Sequence, residues 1–291
     1  RPWRGVTVWG IVTALVLVVA IVANILVTGM FSSLMDVVFG GKRPIYDNSV
    51  ESMYVTDVTS KDEAYANAQK LNLRLAEEGV VLLKNQENAL PLNKDAKISV
   101  FGKNSVNLSY GGSGSGGVSG VNTDLLAALT AYGVAYNIEL TDMYKDFQDG
   151  REYTRTLSAW PEQSGRLYEP DINNQTYYTQ SMLDNAKSFS DTAVVVIGRL
   201  AGESNDATKQ QYKRTEKGGN IVVDDTRTML ELTTEEEDLL NYVGANYAHV
   251  VVLINSTNVM ELGQIETIPG IDACLIAGLS GSEGATAVPE V

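Results

Sequence analysis

The chain has 291 residues, 44% of them hydrophobic, enough to bury the core of one large or two ordinary domains. Its 22 basic and 36 acidic residues leave a formal charge of −14, which repels a phosphate backbone and supplies no Lys/Arg stripe to track one, so nucleic acid is set aside as a partner. One cysteine, Cys274, and one histidine, His249, exclude an intrachain disulfide and a zinc site of the usual kind.

From Gly5 to Met35 there is no charged residue, and "GVTVWGIVTALVLVVAIVANILVTGMF" exceeds the roughly 20 residues that a membrane-spanning helix requires. A secretory signal peptide competes with this reading; Ala20 and Ala23 suit a cleavage site, but an apolar region of roughly 7 to 15 residues would be expected. Residues 1–31 are therefore read as an amino-terminal segment and a transmembrane helix, meeting the bilayer through residues 6–31. Arg1 and Arg4 precede the span, whereas Lys42 and Arg43 follow at a distance, beyond Asp36. That bias predicts a single-pass protein in the cell membrane with its later residues extracytoplasmic. Because the first residue is Arg, amino-terminal sequence is expected to have been removed.

Residues 32–58, punctuated by Gly-Gly and Pro, read as a juxtamembrane linker. Residues 59–291 carry the folded domain. Ser60 with Glu63 forms a capping-box pattern before "SKDEAYANAQKLNLRLAEEG", where Ala64, Ala68, Leu71 and Leu75 recur at helical spacing up to Gly79. "VVLLKN" and "KISVFG" read as strands around the turn "ALPLN". After the glycine-rich "KNSVNLSYGGSGSGGVSG" come a helix, "TDLLAALTAYG", capped by Thr123, a strand, "VAYNIEL", and a short helix, "TDMYKDFQ". Residues 150–176 lose periodicity and read as an insertion. "QTYYTQSMLDNAKSF" restores a helix before the apolar strand "TAVVVIG", and "LTTEEEDLLNYVGANY", "HVVVLINS", "NVMELGQI" and "IDACLIAG" continue the alternation of helix and strand. Strands rich in Val and Ile, apolar without period-two alternation, predict a mostly parallel sheet covered on both faces, a three-layer α/β/α sandwich. The final "LSGSEGATAVPEV" starts a further helix, and the domain is expected to be truncated there.

Three features could carry chemistry. Gly112, Gly114 and Gly117 satisfy G-x-G-x-x-G, with Glu139 about 20 residues on, as in a dinucleotide fingerprint. Ten residues lie between Phe101 and Gly112, however, and the fingerprint needs its glycines directly after the strand. A loop that lets two surfaces approach closely is the preferred reading. The second feature is Glu203 in "GRLAGESND", with Arg199 and Asp206 nearby. A carboxyl group at a strand's carboxyl end sits where open α/β sheets keep their ligands, and partial desolvation there raises its pKa toward proton donation. The alternative is a solvated loop carboxylate. The third feature, the aromatic residues Tyr153, Trp160, Tyr168, Tyr177 and Tyr178, could stack on sugars but reads better as an anchor for the insertion. The acidic run Glu235 to Asp238 suits the first turn of a helix. Cys274 reads as a core thiol and His249 as a strand-end surface residue.

"EEGVVLLKNQENALPL", "ISVFG", "YGGSGSGGV", "VVVIGRLAGESND", "VVVLINSTNVMELG" and "IAGLSGSEGATAV" resemble, in order and spacing, the second domain of family 3 glycoside hydrolases. The resemblance covers roughly residues 60–291 and implies a six-stranded α/β sandwich from a retaining β-glycosidase, commonly a β-glucosidase, acting on β-linked glycosides. It implies no cofactor and no metal. The family's acid/base glutamate matches Glu203, with Arg199 and Asp206 as possible neighbours and Gly111, Gly112, Gly114 and Gly116 forming the glycine-rich loop. Where the family usually continues Gly-Glu-Gly-x-Asp-Arg, this chain keeps Asp206 but has Ser204 and Ala207. The family's nucleophile is an aspartate on a (β/α)8 barrel, for which these residues leave no room. The resemblance thus implies a rearranged order, with the sandwich first behind its anchor and the barrel downstream. A non-catalytic carbohydrate-binding or assembly module with the same fold is the alternative.

Overall fold

The structure, a computed structural model, describes residues 2–40, 56–93, 95–112, 114–118, 123–147, 169–203, 207, 209–215, 221–256 and 258–291. The chain divides into two units, Arg1–Asp57 and Val58–Val291.

The first unit is helical. α1 (Pro2–Ile25) runs into a π turn, Leu26–Met30, and then α2 (Ser32–Phe39), which ends at Gly40 with φ +80°. The 28 residues Trp3–Met30 are long and apolar enough to cross a membrane. The hydroxyls of Thr7, Thr13 and Thr28 return to the carbonyls of Trp3, Trp9 and Asn24, so these polar groups are satisfied within the helix itself. α2 occupies the start of the segment expected to be linker.

The second unit is built on a sheet. Its elements in order are α3 (Lys61–Gly79), β1 (Val81–Asn85), β2 (Lys97–Phe101), α4 (Leu125–Tyr132), β3 (Ala135–Tyr136), α5 (Ile138–Asp146), α6 (Gln180–Phe189), β4 (Thr192–Arg199), β5 (Gln211–Thr215), β6 (Ile221–Asp224), α7 (Thr234–Asn246), β7 (His249–Ser256), α8 (Gly263–Thr267), β8 (Ala273–Ile276) and α9 (Gly284–Ala287). Six strands form one sheet in the order β1-β8-β7-β4-β2-β3. All neighbours are parallel except β1, which lies antiparallel on β8. β5 and β6 form a separate antiparallel hairpin that the sequence pattern did not suggest.

Successive residues of each central strand face opposite sides, and both sides are apolar. Phe101, Val195, Ile197, Val252 and Ile254 meet Leu140 of α5, Leu183 and Ala186 of α6, Leu239, Leu240 and Val243 of α7 and Ile265 of α8. Val100, Val196, Val251, Leu253 and Leu275 meet Leu125, Leu126 and Leu129 of α4 and Ala285 of α9. The expected three layers follow from this division.

Local chemistry sets the boundaries. Ser60 Oγ caps α3 at the Glu63 amide, but Glu63 reaches back to the amide and hydroxyl of Thr59 instead of closing a reciprocal box. α4 is capped by Asp124, one residue beyond the expected Thr123. The expected strand "VAYNIEL" is cut to Ala135–Tyr136 because Asn137 Oδ1 accepts the Leu140 amide and starts α5 there. α6 begins at Gln180 behind a Thr179 cap, so Tyr177 and Tyr178 precede it. α7 has the full capping box, Thr233 with Glu236. After β2, Gly102 has φ +93°, and a Cβ there would lie 2.3 Å from the Val196 carbonyl oxygen, so the chain leaves the sheet only with glycine at that point.

A candidate active-site rim at the carboxyl ends of the strands

Glu203 lies in the turn just past β4, exposed, with buried Ala201 behind it. Its Oε2 accepts two hydrogen bonds from one residue of the glycine-rich loop, the Ser115 amide at 2.6 Å and the Ser115 hydroxyl at 2.8 Å. The amide, and then the hydroxyl, hold the Glu203 pKa below its ordinary value. The desolvated acid anticipated from the sequence is thus an exposed carboxylate whose hydrogen bonds favour the ionised form.

The glycine-rich loop turns tightly on itself here and passes the turn after β4 at contact distance. A Cβ on Gly112 would lie 3.4 Å from the Ala201 carbonyl oxygen, and one on Gly111 would come within 2.7 Å of the Gly116 carbonyl oxygen. Gly114 and Gly116 bracket Ser115 in a single 3-10 turn. The loop is anchored by Asn255 near the end of β7, whose side chain is buried. Its Oδ1 accepts from Asn104 Nδ2 and the Ser109 amide, and its Nδ2 donates to the carbonyls of Ser109 and Gly278. Gly198 of β4 makes room for this arrangement, since a Cβ there would stand 2.4 Å from the Asn104 carboxamide. Asn104, Asn255 and Gly198 are positioning residues that the sequence did not single out; an Asn in the last turn of an otherwise apolar strand was the available signal.

Arg199, expected as a neighbour of the site, is turned into the body of the domain and buried. Nε donates to the Met229 carbonyl, Nη1 to the Gly198 carbonyl and Glu236 Oε1, and Nη2 to the Glu231 carbonyl and Glu236 Oε2. These bonds use all the donors of a guanidinium, leaving none for a ligand. Glu236, read as one of a row of first-turn carboxylates, is the buried partner in this pair and also closes the α7 cap through the Thr233 amide. Asp206 lies outside the described residues.

A second polar cluster lies where the insertion rejoins the fold. Glu169 accepts the Lys103 amide at 2.8 Å and the Tyr178 hydroxyl at 3.2 Å, the hydroxyls of Tyr178 and Tyr144 are bonded to each other, and Lys103 Nζ donates to the Tyr144 carbonyl. Burial pushes the Glu169 pKa up to about 8, with the charge of Glu236 acting in the same sense. Tyr178 is in the core and Tyr177 packs edge-on against Phe147 with ring centroids 4.8 Å apart, the anchoring role preferred for the aromatic residues. Tyr153, Trp160 and Tyr168 lie outside the described residues. His249 is exposed at the start of β7, at the amino ends of the parallel strands and away from the rim, and Cys274 is a buried free thiol of β8. Among the described residues no group of three or more His, Cys, Asp or Glu could hold a metal ion.

The fold and its rim define an α/β sandwich that presents one acid on a strand-end loop, clasped by a glycine-rich loop from the neighbouring strand. The chain matches the family model described as the glycosyl hydrolase family 3 C-terminal domain over residues 80–291. The chain belongs to that family. It is 28% identical over 231 residues to "Beta-glucosidase A" of Butyrivibrio fibrisolvens, covering 76% of this chain and 26% of the relative. It is 30% identical over 218 residues to "Beta-glucosidase" of Ruminococcus albus, covering 74% of this chain and 20% of the relative. Among solved structures, it resembles a β-glucosidase from Paenibacillus barengoltzii with a TM-score of 0.61 and 26% identity, covering 77% of this chain and 22% of the other. β-Glucosidase 3B of Thermotoga neapolitana, solved in complex with glucose, gives a TM-score of 0.58 and 25% identity over 79% of this chain and 29% of its own. The chain thus spans about a quarter of the length of these relatives.

Two outcomes follow from the buried charges. Arg199→Met leaves Glu236 buried without its partner and is expected to cost about 3–5 kcal/mol in chemical denaturation, part of it recovered when Glu236→Gln is added. For Glu169, the folded state binds more protons than the unfolded state between the ordinary 4.5 and about 8, so its contribution to stability is full below that window and falls as pH rises through it. Thermal melts of the wild type and Glu169→Gln from pH 5 to pH 8.5 should show the wild type losing more stability across the range.

Proposed function

We propose that this domain supplies the acid/base half of a retaining β-glycosidase site, β-glucosidase-like, with Glu203 as the acid/base residue. The observation that carries the reading is an exposed carboxyl at the carboxyl end of β4, on the ligand-facing edge of a family 3 sandwich and held by the glycine-rich loop. Retaining hydrolysis uses two carboxyl groups about 5 Å apart. One attacks the anomeric carbon; the other gives a proton to the leaving oxygen and then takes one from the water that releases the sugar. The reading assigns the nucleophile to a (β/α)8 barrel elsewhere in the protein, with the glycine-rich loop bordering the sugar. Exposed and hydrogen-bonded as an anion, Glu203 acquires a donor's pKa only when a facing surface excludes water.

The same proposal makes the span Trp3–Met30 a single-pass anchor with the sandwich extracytoplasmic. Arg1 and Arg4 support that orientation.

In the enzyme with its barrel, Glu203→Ala should slow hydrolysis of alkyl β-glucosides, whose leaving groups need protonation, far more than glycosylation by activated aryl glucosides, with azide restoring part of the lost turnover. Equal losses on both substrates without azide rescue would refute the acid/base role. Protease added to intact cells should digest the sandwich; protection until the membrane is breached would reverse the orientation.

A further inference from the structure

Ser115 donates twice to one oxygen of Glu203, through its amide and through its hydroxyl. Such a pair does more than attach two loops. A carboxylate held by a single hydrogen bond can swivel, whereas two donors spaced by one residue's own geometry fix both the position of Oε2 and the plane of the carboxyl group. The donors can reach Oε2 because of what stands behind them. Asn255 grips the Ser109 amide and carbonyl, Gly112 lets the loop pass against Ala201, and the turn Gly114–Gly116 aims the Ser115 amide outward.

We propose that Ser115 is a positioning residue for Glu203, orienting its carboxyl group and biasing it toward the proton-donating half of the catalytic cycle. The proposal rests on the acid/base reading of Glu203. In glycosylation the Glu203 carboxyl passes its proton to the glycosidic oxygen as the bond from that oxygen to the anomeric carbon breaks and the nucleophile's bond forms. In deglycosylation the Glu203 carboxylate takes a proton from water as the water oxygen bonds to the anomeric carbon and the nucleophile departs. Two donors on Oε2 stabilise the carboxylate that forms in the first step and is consumed in the second, so they assist proton donation and weaken the base that activates water. The lowered Glu203 pKa agrees with this direction. Ser115 therefore favours capture of the sugar over its release, and the balance between the steps is set from the glycine-rich loop.

The test has two arms. In the 291-residue chain in detergent micelles, labelled with carbon-13 at the glutamate carboxyls and with the Glu203 signal assigned by Glu203→Gln, the Glu203 titration midpoint should rise in Ser115→Ala and return in Ser115→Thr. Ser115 is exposed, so near-UV circular dichroism should remain that of the wild type. In the enzyme with its barrel, Ser115→Ala should lower kcat/KM for an alkyl glucoside by roughly three- to tenfold, and lower kcat for an activated aryl glucoside limited by deglycosylation by less. Ser115→Thr should restore the difference. A midpoint in Ser115→Ala that superimposes on the wild type overturns the proposal, as do equal losses in both kinetic parameters that Thr does not rescue. A midpoint that rises as expected while Glu203→Ala shows no azide rescue identifies the failure of the acid/base reading itself, and the positioning role falls with it.

Discussion

The Asn255 carboxamide has four hydrogen-bonding positions, and each is occupied by a different group from the loops that leave the sheet. It takes the amide and the carbonyl of the same residue, Ser109, so that loop can neither slide along the strand end nor rotate away from it. It also reaches the carbonyl of Gly278 beyond β8 and the side chain of Asn104 beyond β2. A half-satisfied amide at such depth would cost more than an apolar side chain, and a fully satisfied one fixes a single arrangement. The parallel strands bring these three exits to one level, and Asn255 ties them together there. The position of the glycine-rich loop, and of the oxygen of Glu203 that it holds, is set by this residue in the core rather than by anything on the surface.

Charge is sorted by the same logic. The ionisable groups under the rim face inward and are bonded: Arg199 to Glu236 and to the carbonyls of the segment between the β5–β6 hairpin and α7, and Glu169, pushed by burial toward its neutral form, to the Lys103 amide and the Tyr178 hydroxyl. These contacts hold the segment before α7 and the return of the insertion against the carboxyl ends of β2 and β4. Glu203, by contrast, stands on the outside of the rim.

The layers of the fold were legible because the strands are apolar on both faces, and a run such as "TAVVVIG" has few other homes. Boundaries were less so. A strand was expected through residue 140, but Asn137 turns its side chain onto the Leu140 amide and converts the second half to helix. The position of Glu203 at a strand's carboxyl end was also legible, since it follows from chain order alone. What the pattern could not give was the direction of individual side chains. Arg199 and Glu236 are 37 residues apart in sequence, and Glu169 stands 66 residues from the amide it accepts, so no local periodicity connects them. The β5–β6 hairpin escaped for a different reason: its strands are short, β5 is polar throughout, and they pair with each other outside the main sheet.

Cys274 gives the sheet a built-in gauge. Its thiol is buried on β8, opposite Lys84 of the antiparallel edge strand β1, and burial pushes its pKa up to about 11. In an oxidising compartment such a thiol is inert while the edge remains closed, because thiolate and access are both lacking. β1 is attached to the sheet by β8 alone. The Cys274 side chain also packs in the core layer that includes Ile265 of α8, so the rate at which a thiol reagent labels the native protein reports openings of the shell around the sulfur, seam and helix alike, without any engineered probe.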